Sequence, residues 1–133
     1  TKDLQGSSIE QHADQIIDKL ELREKSNQLT SGLTQIEMRK LELARAMAVK
    51  PKLLISDEAM AGLSSSEVDD ILKILINLNE QTKITIIMIE HIMRAVMSFS
   101  KRVVCLDAGK IIANGTPDEV IKTPAVEKAY LGD

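Results

Sequence analysis

Aromatic residues are almost missing from this chain: it has no tryptophan, one tyrosine and one phenylalanine among 133 residues. That shortage excludes a surface that stacks nucleic-acid bases on aromatic rings. With a net charge of −3 and no basic cluster, the chain carries no nucleic-acid footprint either. Cysteine is as scarce. Cys105 stands alone in an apolar run, so no disulfide framework is expected, and the thiol reads as an inert core residue of a reducing compartment. No apolar run reaches the roughly 18 residues a membrane-spanning helix needs. No charged-then-apolar signal segment opens the chain, and it shows no low-complexity stretch or internal repeat. What is present, 44% hydrophobic and 28% charged residues, fits one globular, soluble domain of ordinary size.

The stretch that organises the rest is Leu53-Leu54-Ile55-Ser56-Asp57-Glu58. A short apolar run that does not alternate predicts a strand buried on both faces, as in a parallel sheet. Ligands of open α/β sheets lie beyond the carboxyl ends of the strands. Asp57 and Glu58 therefore stand where a metal and a reacting group are held: one carboxylate can bind Mg²⁺, directly or through water, and the other can take a proton from an attacking water. The bland alternative is a strand that ends in an acidic turn.

Around this stretch, helices and strands alternate. Residues 1–7 are polar and read as a frayed start; Ser7 and Glu10 have capping-box spacing, and Ile9, Ala13, Ile16, Ile17 and Leu20 predict an amphipathic helix to about Leu22. His12 falls on its polar side and reads as solvated. A polar loop, 23–32, follows. Thr34 and Glu37 form a T-x-x-E box that opens a second helix, stopped by Pro51. Its first turn, Gln35-Ile36-Glu37, offers backbone N–H groups at the positive end of the helix dipole, a physical basis for anion binding. After the turn Ala59-Met60-Ala61-Gly62-Leu63, Ser64 and Glu67 cap a third helix with Val68, Ile71, Leu72, Leu75 and Leu78 on its buried face. Ile84 to Ile89 is a second apolar strand, running into Glu90-His91, with helix-like residues after it to about Ser98. Val103 to Leu106, the turn Asp107-Ala108-Gly109-Lys110, and Ile111 to Ala113 predict a hairpin. Gly115-Thr116-Pro117 opens a short helix with Asp118 and Glu119 in its first turn, and another follows Pro124 to about Leu131. The expected class is α/β, with parallel crossovers and a C-terminal antiparallel pair. His91 ends its strand as Asp57 and Glu58 end theirs, so all three are candidates for one sheet edge.

In this order the features resemble the C-terminal half of the ATP-binding subunit of an ABC transporter, a partial P-loop NTPase fold. The likeness runs from about Ile9 to Gly132. Leu53 to Glu58 is similar to the Walker B strand. The resemblance implies that Asp57 holds Mg²⁺ through water and that Glu58 is the general base of ATP hydrolysis. His91 matches the switch histidine that contacts the γ-phosphate, and Ala61-Gly62-Leu63-Ser64 matches the loop lining the dimer interface. Thr34-Gln35-Ile36-Glu37, after Leu33 and before Met38 to Ala46, occupies the place of the signature motif, which in the family grips the ATP of the opposite subunit. Residues 1–50 then correspond to the end of the helical subdomain, and 51–133 to the C-terminal part of the ATPase core. Met60 to Leu63, Ile89-Glu90-His91, Ala113 to Pro117 and the ending Ala129-Tyr130-Leu131-Gly132 resemble the importers of branched-chain amino acids; the ATPase of lipopolysaccharide export has a similar tail and is the rival branch.

The departures are specific. The signature usually reads Leu-Ser-Gly-Gly-Gln. Here Gln35 and Ile36 fill both glycine places, Glu37 replaces the glutamine, and Thr34 keeps the hydroxyl. Ile36 crowds a phosphate, and Glu37 brings negative charge toward one unless the capping box occupies it. Ala59 replaces a proline after the acidic pair, and Ser64 replaces an aspartate in the interface loop. A phosphate-cradling loop needs two framing glycines and then Lys with Ser or Thr. Gly109-Lys110 has Val104 five positions earlier, in the place of the first glycine, and Ile111 where the hydroxyl is needed; it is a hairpin turn instead. The expectation is therefore a fragment, inactive by itself. In the intact protein, paired ATP-binding subunits on transmembrane permease subunits, peripheral to the cytoplasmic face of the membrane, would use ATP and Mg²⁺ to import branched-chain or other hydrophobic amino acids. A non-catalytic half-domain acting as an interaction or regulatory module is the alternative of a different class. No nucleic-acid partner is expected.

Overall fold

The computed structural model describes residues 6–130. Residues 1–5 of the expected frayed start and the tail residues Leu131 and Gly132 lie outside the described residues, while Gly6 and Ser7 are already helical. In chain order the elements are α1 (Gly6–Lys19), α2 (Gln35–Ala48), β1 (Leu53–Asp57), α3 (Ser65–Thr82), β2 (Thr85–Ile89), α4 (Met93–Phe99), β3 (Val103–Asp107), β4 (Lys110–Gly115), α5 (Pro117–Ile121) and α6 (Pro124–Tyr130). Two one-turn 3₁₀ segments, Arg23–Lys25 and Thr30–Gly32, lie in the polar loop. The chain divides into two compact units, one up to Ile89 and one from Glu90 on.

In the first unit, β1 and β2 pair in parallel, with Leu53 opposite Thr85, Ile55 opposite Ile87 and Asp57 opposite Ile89. α3 makes the crossover, as a parallel pair requires. It buries the predicted Val68, Ile71, Leu72, Leu75 and Leu78, and Ile74 besides. Lys83 ends it in a left-handed conformation (φ 56°), its N–H bonded to the Asn79 carbonyl.

Two expectations fail here. β1 is not buried on both faces: Leu54 and Ser56 are buried, but Leu53 and Ile55 are 47% and 58% exposed. Ile87 and Ile89 are exposed on the same side, since residues in register across a parallel pair share a face. The run lacks alternation in sequence because both faces are apolar, but the described residues cover only one. On α1, Ile9 and Ala13 are exposed, and the inward positions are His12 and Ile16, with Leu20 just past the helix at the same four-residue spacing. His12 is half-buried rather than freely solvated. Its Nε2–H donates to the Ala48 carbonyl at 3.2 Å, one of the free carbonyls at the end of α2. The side chain of Ser7 lies outside the described residues; its backbone is already within α1.

In the second unit, β3 and β4 form the expected hairpin, longer than predicted, with a bulge between Cys105 and Leu106. Ala108 (φ 45°) and Gly109 (φ 77°) are both left-handed, so the two-residue turn matches the right-handed twist of the strands. Cys105 is buried with Val120 and Val126, against Val103, Ile112 and Ala113. α5 has a third capping box, Thr116 with Glu119. The Tyr130 hydroxyl donates to the Leu106 carbonyl at 3.2 Å, and burial together with neighbouring Cys105 pushes its pKa up.

Candidate functional site

β1 delivers Asp57 at its carboxyl end, on the open face with Leu53 and Ile55 by strand alternation. Glu58 continues the pairing by one bond, its N–H reaching the Ile89 carbonyl at 2.9 Å. The backbone then breaks direction: Glu58 has φ 45°, a left-handed conformation that costs a non-glycine residue about 1–2 kcal/mol. Its carbonyl accepts from the Ala61 N–H (3.1 Å), and that of Met60 accepts from the Leu63 N–H (3.2 Å). Gly62 (φ 79°) is the third residue of the Met60–Leu63 turn, a position that demands positive φ. Met60, wholly buried, pins the turn from below.

The far end of this loop is held by a capping box. Glu67 accepts from the Ser64 N–H (2.8 Å) and hydroxyl (2.7 Å), and its own N–H reaches the Ser64 Oγ (3.4 Å). The carboxylates of Asp57 and Glu58 are exposed between these two fixed points. Among the described residues no group of three or more His, Cys, Asp or Glu side chains is placed to hold a metal. Asp57 fits a Mg²⁺ site of the kind completed by one or two protein carboxylates, substrate phosphates and water.

The start of α2 lies close to the same loop. Thr34 caps the helix; Glu37 accepts from the Thr34 N–H at 2.8 Å and pairs with Lys25 at 3.4 Å. The Thr34 N–H bond, more than any other contact, lowers the Glu37 pKa. The carboxylate of Glu37 is thus occupied by the capping box. The hydrogen bonds of the cap leave the N–H groups of Gln35 and Ile36 at the open end of the helix. The side chain of Gln35 turns to its own chain: Nε2 donates to the Ala61 carbonyl at 3.1 Å. A Cβ built on Gly62 would lie 2.5 Å from that same Nε2. Two of the predicted stretches, 34–37 and 61–64, therefore touch. Their contact had no sequence signal. Their two caps did, and Thr116-x-x-Glu119 has the same spacing.

His91 is exposed and lies two residues past the end of β2, at the start of the second unit. α4 follows without a side-chain cap at Ile92.

The family model described as ABC transporter matches residues 2–61. The chain is 37% identical, over 117 residues, to the high-affinity branched-chain amino acid transport ATP-binding protein BraF of Pseudomonas aeruginosa, covering 88% of this chain and 46% of that protein. It is 33% identical, over 132 residues, to the lipopolysaccharide export system ATP-binding protein LptB of Haemophilus influenzae, covering 99% and 54%. Among solved structures, an ATP-binding cassette of an ABC transporter in its ADP conformation superposes with a TM-score of 0.87 at 25% identity, over all of this chain and 54% of that one. The chain spans about half the length of the relatives it matches.

Proposed function

Since this chain corresponds in sequence and fold to the C-terminal half of an ABC transporter ATP-binding subunit, we propose that it supplies the hydrolytic edge of an ATPase that drives import of branched-chain or other hydrophobic amino acids. The observation that carries the reading is the acidic turn: two adjacent carboxylates, exposed at the carboxyl end of a strand in a parallel pair, on a backbone held in an unfavourable conformation at Glu58. The higher identity to the branched-chain importer than to the lipopolysaccharide exporter supports the choice of substrate class.

In this reading residues 1–50 end a helical subdomain and 51–133 belong to the ATPase core. Mg²⁺ bound with ATP neutralises charge on the phosphates, and Asp57 is the residue that would hold it, through water. Glu58 orients the attacking water and takes its proton, as positioning and charge stabilisation require in phosphoryl transfer. His91 contacts the terminal phosphate. Thr34 and the N–H groups of Gln35 and Ile36 face the nucleotide of a second ATP-binding subunit, and Ala61 to Ser64 line the contact between the two. No helix among the described residues is long and apolar enough to cross a membrane. A peripheral place beneath permease subunits on the cytoplasmic face fits that observation.

The test is Glu58→Gln in the transporter assembled with its permease. Turnover is expected to be lost while ATP binding remains; turnover at the unaltered rate would overturn the assignment. The mass of the protein in its source cells separates the importer from a stand-alone module: a mass about twice 14.7 kDa supports an ordinary ATP-binding subunit, and 14.7 kDa itself supports the module.

A further inference from the structure

The first unit contains a cavity of about 670 Å³, at the opposite end of β1 and β2 from the acidic turn. Its volume lies within the range of small-molecule sites. The floor is apolar: Ile16, Leu20, Met47, Leu78 and Ile84 line it, and all five are buried. The rim is basic. Lys19, Lys50, Lys52 and Lys83 line it, with no aspartate or glutamate among the lining residues. None of these lysines forms an ion pair among the described residues, in a chain whose net charge is −3.

Two further features separate this rim from an ordinary solvated surface. Lys50 and Lys83 hold left-handed backbone conformations (φ 50° and 56°) just past the ends of α2 and α3. Glycine adopts that conformation without strain and lysine does not. Each position carries a cation at the cost of backbone strain. Part of that charge answers the partial negative charge of the two helix ends. Lys19 closes α1 and answers the charge of that end in the same way; Lys52 belongs to no helix end, so the four ammonium groups exceed by one what the three termini call for. His12, on the same wall, has its Nε2–H committed to the Ala48 carbonyl and keeps α1 docked on α2.

We propose that this cavity binds a small amphipathic anion, a carboxylate carried on a hydrocarbon body and free in solution, with the body on the apolar floor and the carboxylate among the lysines. The proposal is independent of the ATPase reading, because its test measures binding and not turnover.

The probe is decanoate, titrated into the protein while backbone amide shifts are followed. Decyltrimethylammonium and inorganic phosphate serve as the charge-inverted and body-less controls. Saturable shifts at Ile16, Lys83 and Ile84 are expected with decanoate alone. Lys50→Glu and Lys83→Glu should each weaken binding by about tenfold. Gln15→Trp, which fills the cavity from the exposed side of α1 and leaves the lysines in place, should abolish it. Equal binding of the ammonium compound, or competition by phosphate alone, would overturn the proposal. So would shifts centred on Ile55 and Ile87 of the open sheet face, or binding to phosphatidylglycerol vesicles without binding of free decanoate.

Discussion

The side-chain amide of Gln35 donates to the carbonyl of Ala61 at 3.1 Å, and the missing Cβ of Gly62 leaves the room for it. One residue in the first turn of α2 thus holds the loop that carries Glu58, and a side chain at Gly62, next to its partner Ala61, would displace the amide.

Substitutions at this contact will not add. Gln35→Ala is expected to cost about 0.5–1.5 kcal/mol, the worth of one hydrogen bond. Gly62→Ala meets both the 2.5 Å contact and a left-handed backbone, for about 1–2 kcal/mol from the backbone alone. In the double variant the close contact is gone, while the lost hydrogen bond and the backbone strain remain. Urea unfolding of the two single variants and the double one should give a total smaller than the sum of the singles.

The capping boxes make the fold sensitive to acid. Hydrogen bonds from Thr34, Ser64 and Thr116 hold the carboxyl groups of Glu37, Glu67 and Glu119 below the usual range. Their contribution is therefore complete above the unfolded glutamate value of about 4.3 and is lost as pH falls through the lower folded values. Thermal melts from neutral pH downward should show the loss beginning below about pH 4.5. Ser64→Ala, about 1 kcal/mol less stable at neutral pH, should show a smaller drop.

The hairpin turn can be improved. Ala108 is held at φ 45° in a turn that favours Asn, Asp or Gly. Ala108→Asn is expected to raise stability by about 1 kcal/mol, read as a higher urea midpoint with an unchanged slope.

Leu53, Ile55, Ile87 and Ile89 form an exposed apolar face on the parallel pair. Such a face invites association. Sedimentation should show this chain self-associating, and Ile55→Lys or Ile87→Lys should shift it toward monomer. A monomeric chain with a sharp two-state melt would count against this.

Local signals carried well from the sequence. The caps at Thr34 and Ser64 and the buried stripe of α3 depend on neighbours three or four residues away, and they are where the sequence placed them. What depends on distant packing did not carry. The burial of β1 rests on what covers each face, so an apolar run gives no hint that Ile55 is open. The inward turn of His12 depends on where α2 ends, and the bond between Gln35 and Ala61 joins residues 26 positions apart. Among the candidate residues, the strand end, the loop and the helix start are legible in the sequence as separate features; the link between the last two comes only from the folded chain.

The parallel register of β1 and β2 also bears on how the chain folds. Leu53 cannot meet Thr85 until the whole of α3 lies between them, so the pair forms only after an entropically costly closure. α3 has its own local start signal at Ser64 and its own stop at Lys83; once helical, it shortens the gap the strands must bridge. Early weakening of α3 should therefore slow refolding, whereas weakening the strand pair should chiefly speed unfolding. The same closure sets the acidic turn in place: the bond from Glu58 to Ile89 forms only when both strands have arrived.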